Sequence, residues 1–235
     1  MTPIVTPAEM AAINAAAPVP VAALVERAGA AVACAAVDLL GGTYGRRVAV
    51  IAGKGNNGAD GRAAATRLRR HGVRCVVLDS NTATLPLEVD LVIDAAHGTG
   101  LSRPYDFPVV PEGVPVLAVD IPSGVDGLTG ACLGSPVAAD RTVTFAALKP
   151  GLPLKPGRGL SGEVVVFDIG LDTGDATIDL VEGPDVADWL PVPDTTVHKW
   201  HRAIRIIGGS PTMTGAPRLV ATDLPDRLAP LFTDG

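Results

Sequence analysis

Between Arg46 and Leu171 the chain carries six apolar runs: RRVAVIA (46–52), VRCVVLD (73–79), VDLVIDAA (89–96), VPVLAVDI (114–121), RTVTFAAL (141–148) and GEVVVFDIGL (162–171). These runs are continuous rather than alternating, the pattern of strands covered on both faces. Helical stretches punctuate them. Thr6-Pro-Ala-Glu9 forms a capping box with proline at the first helical position and predicts a helix that stops before Pro18. A second helix is predicted from Val21 to Leu40, stopped by Gly41-Gly42, and a third over GRAAATRLRRHG (61–72), stopped by Gly72. This order predicts a Rossmann-like three-layer α/β/α sandwich with a mostly parallel central sheet. Connections shorten after Ala95, so the later crossovers must be loops or brief helices.

In such a sheet, ligands bind beyond the carboxyl ends of the strands. The polar clusters fall there: Gly53–Gly61 after the first run, Asp94 with Gly98–Arg103 after the third, and Asp120 with Ser123 after the fourth. They are expected to converge on one edge.

Composition narrows the function classes. The 235 residues fit one substantial domain, or a domain plus a fragment, and 47% of them are apolar. A net charge of −6 with no basic block argues against nucleic acid as partner. The Ala-rich N-terminus lacks a basic leader, carries Glu9, Glu26 and Arg27, and is broken by Pro18 and Pro20. No apolar run reaches the length of a membrane span, so a soluble protein is expected. Cys34, Cys75 and Cys132 are odd in number and far apart; they read as buried structural thiols in a reducing cytoplasm.

Gly53-Lys-Gly55-Asn-Asn-Gly58 is a G-x-G-x-x-G after a strand, a turn that brings backbone N–H groups close to an anion. With Asp79 about twenty residues on, a nicotinamide dehydrogenase is one reading. It lacks a substrate domain to supply a catalytic base. The adjacent Asn56, Asn57 and Asp60 leave open whether this loop holds a cofactor or something else. A carboxylate beside a pyrophosphate is repelled unless a cation intervenes or the carboxylate faces another part of the ligand. Gly98-Thr99-Gly100 is a second anion-friendly loop, with Ser102 and Arg103 adding a hydroxyl and a positive fork. Asn57, Asp94, Asp120 and Ser123 form a hard-oxygen set suited to Na⁺, K⁺, Mg²⁺ or Ca²⁺ rather than zinc. His97 reads as incidental, Lys149 as an exposed strand-end lysine, and His198 and His201 lack partners for a metal site.

Four blocks in register carry a resemblance: AGKGNNGADGRAAATRL, DLVIDAAHGTGLSRP, VLAVDIPSGVDGLTG and ADRTVTFAALKPGLPLKPGRGLSGEVVVFDIGL. From about Ile4 to Leu171 the chain resembles the YjeF N-terminal domain family, the NAD(P)HX epimerases. The resemblance implies an isomerase that interconverts the R and S forms of NADH or NADPH hydrated at C6 of the nicotinamide ring. That activity belongs to nicotinamide cofactor repair, beside a dehydratase that consumes the S form. It implies substrate contacts from Asn56, Asn57, Gly58, Ala59 and Asp60, from Gly98, Thr99, Gly100, Leu101, Ser102, Arg103 and Pro104, and from Asp120. It implies a potassium ion at Asn57, Asp94 and Ser123, with Asp120 as the catalytic acid/base. Relatives often form dimers, and the helix Val21–Leu40 could supply either a contact face or a core face.

The chain departs from the family at Ala59, where a second glycine is usual, and at Ala96-His97, where Leu-Phe is usual. Such drift would also fit a non-catalytic nucleotide-binding or interaction module of the same fold. The expected boundaries are 1–190 for the epimerase domain and 191–235 for a tail resembling the beginning of a dehydratase domain. In that tail Trp200 replaces the usual glycine after His-Lys, and no ATP-binding part follows, so dehydratase activity is not expected.

Overall fold

The computed structural model describes residues 1–86 and 88–189. The chain divides into two compact units, residues 1–183 and 184–235. Of the second, only its beginning within helix α5 (Gly183–Trp189) is described. The tail at 191–235, with His198, Trp200 and His201, lies outside the described residues.

Each predicted apolar run forms a strand: β2 (Arg47–Ala52), β3 (Arg74–Asp79), β4 (Leu91–Ala95), β6 (Val116–Val119), β8 (Arg141–Phe145) and β9 (Glu163–Phe167). Together they make one six-stranded sheet in the order β3-β2-β4-β6-β8-β9, parallel throughout. Shorter strands pair outside it: β1 (Thr2–Ile4) with β10 (Ile178–Leu180), and β5 (Tyr105–Asp106) with β7 (Gly134–Ser135). These are two or three residues long and carry no periodicity to read.

Helix α1 (Pro7–Ala15) starts on the expected capping box: Thr6 Oγ1 accepts from Glu9 N–H, and Glu9 Oε2 accepts from Thr6 N–H. Helix α2 (Val21–Leu40) buries Leu24, Ala28, Ala31, Val32, Ala35, Ala36 and Leu40, so this helix has a core face. Its small residues let α3 (Asn56–Arg70) approach closely; a methyl on Gly29 would come 2.5 Å from the Ala63 Cβ. The two helices cover Val48, Val50, Leu91, Ile93, Leu117 and Val119 on one face of the sheet. On the other face, connecting segments bring Tyr105, Phe107 and Ala139 over Ile51, Val92 and Ala118, while Leu160 of the short helix α4 (Gly157–Leu160) packs near Val164 and Val166. The fold is Rossmann-like α/β.

Two expectations need correcting. VRCVVLD is an edge strand, with Arg74, Val76 and Asp79 exposed, because no strand among the described residues pairs beyond it. Nor are the cysteines buried: Cys34 and Cys132 are exposed and Cys75 is half-buried. None of the described helices is long and apolar enough to cross a membrane.

The chain leaves β2 through α3 to β3 on one side, then returns past β2 to β4 on the other. This reversal opens a crevice beyond the carboxyl ends of β2 and β4, where open α/β sheets bind ligands.

Candidate active site

The first wall of the crevice is the start of α3. The Gly-Asn-Asn-Gly stretch that reads as a turn is already helical from Asn56. Two glycines allow it. A methyl on Gly53 would lie 1.9 Å from the Ala96 carbonyl oxygen, and one on Gly58 would lie 1.9 Å from the Gly53 carbonyl oxygen. The helix therefore begins directly against the ends of β2 and β4. Its N-cap, Gly55, makes no side-chain cap bond, and the first helical hydrogen bond runs from Ala59 N–H to Gly55 O. The amides of residues 56–58 are left for a ligand, the arrangement that favours anions. Ala59 lies inside this helix and is absent from the positive-φ residues, so its methyl sits on backbone that tolerates it.

Strands β6 and β8 end in the same unusual way. Asp120 has φ +68° and Ala146 has φ +63°. Ile121 N–H donates to Val119 O, and Ala147 N–H donates to Phe145 O. Both are three-residue turns with a positive central φ, the rarer and strained γ form. At β6 the turn swings Asp120 out of strand alternation. At β8 it leads to Lys149, 1% exposed, whose Nζ lies 2.6 Å from Asp120 Oδ1. Lys149 also donates to Thr144 Oγ1 and Phe145 O, each at 2.9 Å, and Thr144 Oγ1 donates to Asp120 Oδ1 at 3.1 Å. The three ammonium protons all have acceptors.

Asp94 is fully buried in β4. Its Oδ2 accepts from Ser123 N–H at 2.7 Å, and its Oδ1 from the Ser123 hydroxyl at 2.5 Å and Ala96 N–H at 3.2 Å. Burial pushes its carboxyl up to about 6, against the pull of these hydrogen bonds. The Ser123 hydroxyl also accepts from His97 N–H, tying β4's exit loop to β6's. The Asn57 side-chain amide is buried, yet neither its oxygen nor its nitrogen has a protein partner. Such orphaned groups are costly unless a ligand meets them. A methyl built on Gly98 would stand 3.4 Å from Asp120 Oδ2 and 3.5 Å from Asn57 Cγ, so these three residues converge.

Around this point lies a cleft of about 580 Å³. Its polar side comes from Asn56, Asn57, Asp60, the loop 97–103, Asp120 and Lys149. Its apolar side comes from Met10, Val21, Leu24, Val25, Phe145 and Ile169. The cleft thus offers bound anions a helix start and Arg103, and a flat ring an apolar wall. His97 lines it too, packed edge-on against Tyr105 at 4.6 Å. Burial and then Arg103 hold the His97 imidazole below its ordinary value, so it is neutral at pH 7.

A family model described as "YjeF-related protein N-terminus" matches residues 21–83 and 78–151. The chain belongs to this family. It is 37% identical over 203 residues to the bifunctional NAD(P)H-hydrate repair enzyme Nnr of Mycobacterium leprae, covering 75% of this chain and 42% of that protein. It is also 37% identical over 187 residues to the NAD(P)H-hydrate epimerase of Weissella koreensis, covering 65% of this chain and 83% of that protein. The chain thus spans less than half the length of the bifunctional relatives. The crystal structure of yeast ynu0, YNL200c, matches in fold with a TM-score of 0.54 at 22% identity, covering 70% of this chain and 87% of that one.

Seen as a YjeF-family domain, the chain brings Asn56, Asn57, Asp60, Gly98–Arg103 and Asp120 to one cleft at one sheet edge. Gly58, Ala59 and Pro104 do not line it; Gly58 is packed under Gly53 and acts on backbone approach. Asp94 and Ser123 lie just behind the lining, bonded to each other. Asp79 lies outside the cleft and accepts from the Asn81 backbone and amide, which leaves the dehydrogenase reading without its ribose acid. Lys149 is corrected from exposed to buried. The wall from α1 and α2 is a further addition, and its signal was the pair of apolar helices preceding the first buried strand.

Proposed function

We propose that this domain interconverts the R and S forms of hydrated NADH and NADPH at C6 of the nicotinamide ring, within cofactor repair. The observation that carries the reading is Asp120. Its carboxylate is held at a strained turn, paired through Oδ1 with buried Lys149, and its Oδ2 is directed toward Gly98 and Asn57. The relatives' names supply the substrate class.

Epimerisation needs the C6–O bond to break and reform on the other face. The ring nitrogen's lone pair covers the electron deficit at C6, so the protein must move protons and hold the ring. Asp120 exchanges a proton with the departing or arriving water. Lys149 and Thr144 fix the carboxylate through its inner oxygen. Phe145, Ile169, Leu24 and Val25 receive the ring and keep bulk water out, while the α3 amides and Arg103 receive the phosphates. His97, neutral and edge-packed, shapes the wall.

A potassium ion belongs to this reading. The donors fit a hard alkali cation: the orphaned Asn57 amide oxygen, the buried Asp94 carboxylate and the Ser123 hydroxyl are all oxygen. When bound, it would supply a fixed positive charge that holds the α3 start and the two exit loops together. The same reading makes residues 1–190 the epimerase domain and 191–235 the beginning of a dehydratase-like segment. It sets the enzyme in the cytoplasm, as a homodimer working beside an NAD(P)HX dehydratase.

The test supplies R-NADHX with potassium and traps the product with an S-specific dehydratase. Wild-type protein converts the R form well above the spontaneous rate, and Asp120→Asn loses about 10²-fold or more. Wild-type conversion no faster than the spontaneous rate, with hydrate still bound, would mark a binding module instead.

A further inference from the structure

The cleft contains a second carboxyl, Asp60, which the chemistry above does not use. It sits on α3, 8% exposed, and faces the same space as Asp120. Resting on the epimerase reading, we propose that Asp60 is a second catalytic residue, the uncharged proton donor that works opposite the Asp120 carboxylate.

Among the described residues, no protein group gives Asp60 a counter-charge or a hydrogen-bond donor. Lys149 is the buried cation of the described residues, and its three protons go to Asp120, Thr144 and Phe145 O. The other charged or titratable groups facing the cleft are His97 and Arg103 from the loop after β4; the imidazole is neutral and the guanidinium sits on an exposed residue. On α3 itself, Arg62 spends its guanidinium on the carbonyls of Gly53 and Ala52. Asp60 is the fifth residue after the Gly55 N-cap, past the first turn, where a helix start favours a negative charge. Among the described residues no donor reaches its carboxyl. A buried carboxyl without donor or counter-charge keeps its proton. Burial, reinforced by the charge of Asp120, pushes it up to about 8. One cleft thus holds a buried carboxyl with no counter-charge and a second carboxylate paired with the buried Lys149 ammonium.

The step balances without a redox partner. Asp60 gives its proton to the C6 hydroxyl as the C6–O bond breaks, and that bond's electron pair leaves with the water. The ring nitrogen's lone pair stabilises C6. Water adds to the opposite face and yields a proton to the Asp120 carboxylate. Asp60 then stands as carboxylate and Asp120 as acid; the reverse turnover, or exchange with solvent, restores them.

The test compares wild type, Asp60→Asn and Asp60→Glu. Asp60→Asn is expected to bind NADHX as wild type does and to lose about 10²-fold or more in kcat, with partial recovery in Asp60→Glu. The wild-type kcat is expected to fall as pH rises through about 8, and Asp60→Asn to lose that alkaline limb. Carbon-13 carboxyl shifts of labelled aspartate give a readout independent of turnover: the Asp60 signal stays protonated at pH 7 and is missing in Asp60→Asn. Wild-type turnover with an unaffected Asp60→Asn would overturn this role while leaving the epimerase reading intact. So would an ionised Asp60 at pH 7, or a loss confined to hydrate binding. A wild type without turnover would sink the epimerase reading itself, and this role with it.

Discussion

Asp94 and Asp120 come at the ends of neighbouring parallel strands, one in β4 and one just past β6, yet the fold treats them oppositely. Asp94 stays in strand alternation, is fully buried, and has its oxygens taken by Ser123 and Ala96. Asp120 is thrown out of alternation by its +68° φ, keeps part of its side chain exposed to the cleft, and is gripped through one oxygen by Lys149. A carboxylate bonded on both oxygens by its own loops ties β4 to β6, and its remaining lone pair is what the potassium reading draws on. One gripped from behind keeps its other oxygen open to the cleft, which is what the proposed acid/base role asks of it. The same residue type after the same kind of strand meets different surroundings because of one residue's backbone turn.

Lys149→Met breaks the comparison most sharply. It strips Asp120 of its grip and leaves a partly buried carboxylate without a counter-charge. Stability is expected to fall by about 3 kcal/mol, the low end for breaking a buried pair because Asp120 faces the cleft. For a chain of this size that is a Tm lower by about 6–12 °C. Epimerisation should fall by about 10²-fold or more, read as kcat at saturating hydrate. Unchanged kcat in a folded variant would show that Asp120 needs no grip.

Potassium sharpens the Asp94 side. At about ten times its Kd the ion should stabilise the native state by about 1.4 kcal/mol, raising Tm by about 3–6 °C. Sodium should do less, and Asn57→Ala should abolish the effect. Equal shifts with both salts, or an unaffected variant, would leave Asp94 and Ser123 as a purely structural pair.

Much of this was legible in the chain. The six apolar runs became the sheet, the capping box became the start of α1, and the three polar clusters met at one edge. What escaped depends on contacts distant in sequence. Nothing local to Phe-Ala-Ala-Leu-Lys says that Lys149 turns inward, because its partner is 29 positions away at Asp120. The α3 start was hidden because glycine and asparagine favour turns; here they are helical, and Gly58, lacking a side chain, lets the helix start lie against Gly53. The edge position of β3 and the exposure of Cys34 follow from which strand and which helix face were left uncovered.

The smallest expected effect concerns Ala59, where the family usually has glycine. Since Ala59 is helical, Ala59→Gly should cost about 0.5–1 kcal/mol of stability and leave kcat/KM unchanged. A gain in activity would mean that the methyl obstructs the hydrate.

The most direct measurement of the central claim is the conversion of R-NADHX in oxygen-18 water, with product analysed by mass and by configuration. The account predicts S-NADHX carrying solvent oxygen at C6, formed far faster than in the absence of protein and slowly with Asp120→Asn. S-NADHX that retained its original oxygen, or no acceleration at all, would contradict it.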